Sequence, residues 1–126
     1  NCVPAVIFTI PEVATVGLSK EDAQKQNINI KIAKYPFSAL GKSQACLETD
    51  GFVEIIVDDE FGQILGASAL GEGASVLIAQ MALAISNELT IDCITDTIHA
   101  HPTIPEAWME AAFIASGKPL HFPPKK

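Results

Sequence analysis

The sequence predicts an α+β fold in which an antiparallel β-sheet, a meander, carries helices packed on one side. Three observations predict it. Residues 28–35 alternate apolar and polar side chains, the period-2 pattern of a half-buried strand. Residues 52–57 and 64–70 flank an acidic turn, Asp58 to Gly62, as the arms of a hairpin do. Residues 74–87 then carry apolar side chains on nearly every face of a helix.

Residues 3–8 are β-branched and aromatic, and 14–18 resume that pattern after a corner at Pro11 and Glu12, so two short extended segments open the chain. Ser19 stands three positions ahead of Asp22, as a cap residue precedes an acid, and predicts a short exposed helix over 21–26 ending near Asn27. Ile28, Ile30 and Ile32 alternate with Asn29, Lys31 and Ala33 along the next strand, which Pro36 stops or bends. Residues 37–50 hold Gly41, Ser43 and Asp50 with little periodicity and are expected to form a loop. The hairpin strands follow, completing a three-stranded meander. Ala79, Ala82 and Ala84 permit close approach of the helix over 74–87, which is expected to be buried rather than surface-lying. Asp92 is placed to cap a short helix running toward Thr97. Residues 105–116 form the last helix, stopped by Gly117 with Pro119 beyond. The closing Pro123, Pro124, Lys125 and Lys126 read as a frayed tail.

A chain of 126 residues suits a single domain, 1–126, and 48% hydrophobic against 18% charged residues is ample for a compact core. The net charge of -7 leaves no basic stripe to neutralise a phosphate backbone or an anionic bilayer, so neither nucleic acid nor membrane is expected as a partner. Cys2, Cys46 and Cys93 are odd in number and far apart, which argues for a reducing cytoplasm rather than a disulfide framework or zinc knuckle. The longest apolar stretch, 76–85, is broken by Gln80 and falls short of the roughly 20 residues a membrane span needs. No secretory signal is expected at the N-terminus.

Three motifs invite chemistry. Gly71 and Gly73, between a strand and a helix, are placed as in a pyrophosphate cradle, but position 76 is valine and the strand belongs to an antiparallel hairpin. A tight turn is the expected role. His99 and His101 at i and i+2 point to one side of an extended segment, with His121 available, yet no second ligand motif accompanies them and no metal is expected. His101 and Glu106 are a base and a carboxylate across a proline-bounded turn, where the carboxylate fixes the imidazole tautomer and frees the other nitrogen to move a proton. The same glutamate also closes a capping box with Thr103, so catalysis and helix capping both remain open on spacing alone.

The run 97–107, containing His99, Ala100, His101, Pro102, Thr103 and Glu106, resembles the end of the flavoprotein pyridine nucleotide-disulfide oxidoreductases, and within them the dihydrolipoamide dehydrogenases. Residues 6–17 resemble the phenylalanine-threonine-x-proline-glutamate-valine run opening that family's C-terminal dimerisation domain, and 64–74 give a third match in the family's order. Pro105 departs from it, since many relatives carry serine there.

The resemblance implies a homodimer in which His101 reaches the redox disulfide and flavin of the other subunit. There His101 would take a proton from a dihydrolipoamide thiol and Glu106 would orient the ring. It also implies a cis bond between His101 and Pro102, both meeting the partner's flavin. FAD and NAD would belong to domains absent from this chain, which alone would be inactive, and the parent's partners would include lipoyl domains of 2-oxo acid dehydrogenase complexes. A glutathione-reductase-like homologue, or a purely structural dimerisation module, are the competing readings. A small hydrolase would need a nucleophile beside His101, which the sequence does not supply.

Overall fold

A computed structural model describes residues 2–121, and the expected frayed tail at Pro123 to Lys126 lies outside the described residues. Five strands, β1 (Ala5–Ile7), β2 (Val13–Gly17), β3 (Ile30–Pro36), β4 (Phe52–Asp58) and β5 (Ile64–Leu70), form one sheet ordered β1-β2-β5-β4-β3. Every neighbouring pair is antiparallel. The expected meander is its β3-β4-β5 half, and β2 adds to the free edge of β5, bringing β1 with it.

Side-chain alternation decides which sheet face is covered. Rows Ala14–Ala69–Val53–Tyr35 and Val16–Ala67–Ile55 run across the strands in register and are buried. Helix α3 (Ala74–Ser86) packs on β2 and β5, where three of these residues are alanines that leave room for a helix. Helix α5 (Glu106–Ala115) packs on β3 and β4. Trp108 of α5 is fully buried, and its indole N–H donates to the Leu77 carbonyl of α3 at 3.1 Å, so the two helices share one core. Gly71, at φ +138, lets the chain turn from β5 into α3 against Phe37; a Cβ there would stand 2.4 Å from the Phe37 ring.

Helix α1 (Lys20–Lys25) starts as its sequence expects, one residue early. The Ser19 hydroxyl oxygen accepts the Asp22 N–H at 3.1 Å. Strand edges shift by a residue or two: β1 is shorter than 3–8, and β3 begins at Ile30 because the Ile28 N–H closes α1 on the Ala23 carbonyl.

Four expectations are corrected. Residues 37–50 are not loop throughout: a 3-10 turn, Phe37–Ala39, leads into α2 (Gly41–Cys46), ended by Leu47 at φ 60. Two turns are too short to show apolar periodicity, and buried Phe37 and Leu40 anchor them instead. In α4 (Ile91–Thr95), Thr90 rather than Asp92 holds the N-cap position, and the helix stops short of Thr97. Pro105 occupies the N-cap position of α5, one residue before the helix proper. Finally, α3 is buried only on its Ala74, Leu77, Ile78, Met81 and Ala84 face. Val76 and Leu83 are 77% and 65% exposed, and with Ala79 they form an open apolar stripe at helical spacing.

Candidate active site

The segment between α4 and α5 is held by its own short hydrogen bonds. The Thr97 hydroxyl donates to the Cys93 carbonyl at 2.7 Å, and the Thr103 hydroxyl to the Ala100 carbonyl at 2.7 Å. Between them lies His101, joined to Pro102 by a cis peptide as expected. Glu106, the first residue of α5, reaches back across the turn. Its Oε1 lies 2.9 Å from His101 Nδ1 and its Oε2 accepts the Thr103 N–H at 2.7 Å.

One carboxylate therefore serves both roles left open by the spacing. The capping box is only half formed, because the Thr103 hydroxyl turns to Ala100 instead of the helix. Pro105 does not disturb the pairing. His101 is 78% exposed while the Glu106 side chain is 14% exposed, so a solvent-facing imidazole is anchored on a nearly buried carboxylate. Burial works to raise the Glu106 carboxyl, but the hydrogen bonds from Thr103 and His101, with the charge of a protonated His101, outweigh it and hold it below its ordinary value. An ionised carboxylate accepts at Nδ1, which must then carry the proton. The other ring nitrogen, Nε2, has no partner among the described residues and is free to exchange a proton with an incoming group.

The remaining candidates are not gathered there. His99 places Nδ1 2.9 Å from the Thr97 carbonyl and Nε2 3.2 Å from Gln80 Nε2, and His121 pairs through Nδ1 with Glu110. Among the described residues no three His, Cys, Asp or Glu side chains come together as a metal site. The Gly71 and Gly73 turn is occupied by the chain itself. Glu12, from the corner between β1 and β2, accepts the Ser75 N–H at 2.9 Å at the start of α3, and that bond holds its carboxyl below the ordinary value. A phosphate would have to displace it.

Three participants escaped the sequence reading: Glu12, Gln80 and Glu110. Gln80 had a visible signal, as the one polar interruption of an apolar run, and Glu110 lies one turn beyond Glu106 in an otherwise apolar helix. Glu110 is 2% exposed. It accepts from His121, whose imidazole is pushed above its ordinary value of 6.5 by the hydrogen bond and charge of Glu110. Tyr35 close by is raised to about 12 by burial and by the Glu110 and Glu106 charges, and its hydroxyl donates to the Ala39 carbonyl.

The His121 shift predicts a pH dependence. With the folded value raised, the pair's contribution to stability is complete below the unfolded value and is lost as pH rises through the folded one. The ring is largely exposed, so the effect is small. The melting-temperature difference between wild type and His121→Gln should shrink as pH rises from below the ordinary histidine value to well above it. A difference that grows with pH would contradict the pairing.

The family model described as the pyridine nucleotide-disulphide oxidoreductase dimerisation domain matches residues 3–112. The chain is 52% identical over 125 residues to a dihydrolipoyl dehydrogenase of Chlamydia pneumoniae, covering 99% of this chain and 27% of that protein. It is 45% identical over 119 residues to the dihydrolipoyl dehydrogenase of Geobacillus stearothermophilus, covering 94% of this chain and 25% of that one. Among solved structures it resembles LpdA of Mycobacterium tuberculosis, with a TM-score of 0.82 and 26% identity over 87% of this chain and 24% of that chain. It also resembles RclA, an HOCl-induced flavoprotein disulfide reductase of Escherichia coli, with a TM-score of 0.83 and 25% identity over 88% of this chain and 26% of that chain. The chain thus spans about a quarter of the length of the relatives it matches. With the sheet, the helices and the sequence all in agreement over nearly its whole length, this chain belongs to the dimerisation-domain family of the pyridine nucleotide-disulphide oxidoreductases.

Proposed function

We propose that this chain is the single C-terminal dimerisation domain of a dihydrolipoyl dehydrogenase dependent on FAD and NAD, and that it supplies an acid–base pair to the partner subunit's disulfide site. The carrying observation is the exposed His101 ring fixed through Nδ1 by a nearly buried carboxylate. Nε2 of His101 takes the proton of a dihydrolipoamide thiol, and the thiolate so formed attacks a redox disulfide held elsewhere in the enzyme, breaking its S–S bond to give a mixed disulfide and one cysteine thiolate. Glu106 holds the tautomer and stabilises the imidazolium. Lipoyl domains of 2-oxo acid dehydrogenase complexes would bring the dithiol.

Among the described residues, the Gly71 and Gly73 turn does not fit the pyrophosphate of FAD or NAD. The helix start at α3 that would hold a pyrophosphate is already bonded to Glu12, so both groups would be bound by other parts of the parent. The exposure of His101 and Pro102 beside the cis bond supports their meeting a partner's flavin. Bound FAD would relay two electrons to NAD from the dithiol left when the disulfide is reduced.

The open stripe of Val76, Ala79 and Leu83 supports a homodimer, since an apolar helix face of this kind is stabilised by a second surface. Sedimentation of this chain should show self-association. Leu83→Glu places a charge in the stripe and should weaken it by roughly 30-fold, the equivalent of about 2 kcal/mol for a buried contact residue. Equal association by the variant would remove α3 from the interface. Stopped-flow reduction of the parent by dihydrolipoamide, wild type against His101→Gln, tests the proton transfer.

A further inference from the structure

We infer that Gln80 and His99 form a strut that positions the His101 loop against the apolar-striped helix, making both of them positioning residues for the proton transfer proposed above, on which this inference rests. Both ring nitrogens of His99 are engaged. Nδ1 lies 2.9 Å from the Thr97 carbonyl, which can only accept, so Nδ1 carries the hydrogen. Nε2 is left with its lone pair, and Gln80 Nε2, an amide that can only donate, lies 3.2 Å away. The two contacts demand the same state, a neutral ring protonated at Nδ1. His99 is thereby a fixed bracket, with neither nitrogen left for a metal or a substrate proton.

The bracket joins two parts of the molecule that sequence separates by 19 positions. Gln80 sits in the middle of α3, one turn from Val76 and three residues before Leu83, at the flank of the open stripe. His99 lies two residues before His101. Among the described residues, the loop's other side-chain hydrogen bonds run within it and to the ends of α4 and α5, through Thr97 with Cys93, Thr103 with Ala100, and Glu106 with Thr103 and His101, while Ile104 packs against the core. The Gln80 contact is thus the side-chain hydrogen bond that fixes the loop's position relative to α3. It also accounts for the single polar residue in an apolar helix run, which neither the core nor the exposed stripe calls for. A partner seated on α3 would set the place of His101 through this contact, and misplacement by about 1 Å is enough to cost up to about 100-fold in rate.

Two measurements test it. In this chain, long-range proton–nitrogen NMR spectra of labelled histidine should show His99 as the Nδ1–H tautomer; the Nε2–H tautomer would overturn the strut. In the full-length dimer, Gln80→Leu keeps a good helix former but removes the donor, and should slow reduction by dihydrolipoamide about 10-fold while sedimentation and NADH oxidation by an artificial acceptor stay unchanged. His99→Gln, whose side-chain oxygen can accept from Gln80, should retain most of the rate, whereas His99→Phe should behave as Gln80→Leu. Added to His101→Gln, Gln80→Leu should slow reduction no further, because the strut acts through His101. Wild-type rates for Gln80→Leu, or an equal additional loss in the His101→Gln background, would overturn the inference. Failure of the underlying acid–base reading would show separately, as an undiminished rate in His101→Gln alone.

Discussion

On the acid–base role proposed for it, His101→Gln in the full-length parent should leave folding and association intact yet slow reduction by dihydrolipoamide roughly 10²–10⁴-fold, the loss typical of a missing general base. The geometry argues for a large effect with little structural cost. His101 is 78% exposed and makes no core contact, so replacing it leaves no cavity, while Gln offers no group able to take a thiol proton near neutral pH. Electron flow from NADH to an artificial acceptor bypasses the dithiol and should be nearly untouched.

Glu106→Gln is the informative companion. A capping role alone would tolerate it, because glutamine also serves in a capping box. Here, however, two N–H donors converge on the two carboxylate oxygens, from His101 at 2.9 Å and from Thr103 at 2.7 Å. An amide presents one oxygen and one N–H₂, so one donor must lose its acceptor or face another donor. A loss of dithiol reduction smaller than that of His101→Gln, beside a modest fall in melting temperature, is the expected pattern. Wild-type reduction rates in both variants would assign the pair to the fold.

The outline of the sheet was legible because its strands carry long, regular signals, as in Ile28, Ile30 and Ile32 or the hairpin around Asp58 to Gly62. What escaped was of two kinds. Short elements such as Gly41–Cys46 are anchored by distant packing and leave no local period. The helix Ala74–Ser86 misled in the opposite sense: its composition describes a fully buried helix, whereas in one chain Val76 and Leu83 stand exposed. Apolar residues record that a surface is covered, but not by which chain. The His101 and Glu106 pair was legible because its members are five residues apart. The Gln80 to His99 and Glu12 to Ser75 contacts were not, since they span 19 and 63 positions and depend on the packing of α3.

Trp108→Ala should be the most damaging substitution to the fold, costing about 3–5 kcal/mol as expected for a buried aromatic truncated in a packed core. Trp108 is fully buried in the core cluster that also holds Tyr35, Phe37, Ile55, Ile78 and Met81, on a helix packed against β3 and β4, so its truncation opens a cavity within that core. Its indole N–H also bonds the Leu77 carbonyl at 3.1 Å, and removing that donor adds a contribution of about 1 kcal/mol. Trp108→Phe separates the two, since it keeps most of the aromatic volume and loses the donor, and should cost less than half as much. Denaturant unfolding at one fixed protein concentration is the measurement, because association would otherwise shift the midpoint. The consequence reaches the site through α5. Glu106 opens the helix that Trp108 seats against α3, and the Trp108 N–H caps back on the Pro105 carbonyl at 3.0 Å. A looser α5 carries Glu106 away from His101, so Trp108→Phe should slow dihydrolipoamide reduction even at temperatures where the enzyme remains folded and dimeric. Loss of stability with an unchanged reduction rate would show that the loop, rather than α5, holds the pair together.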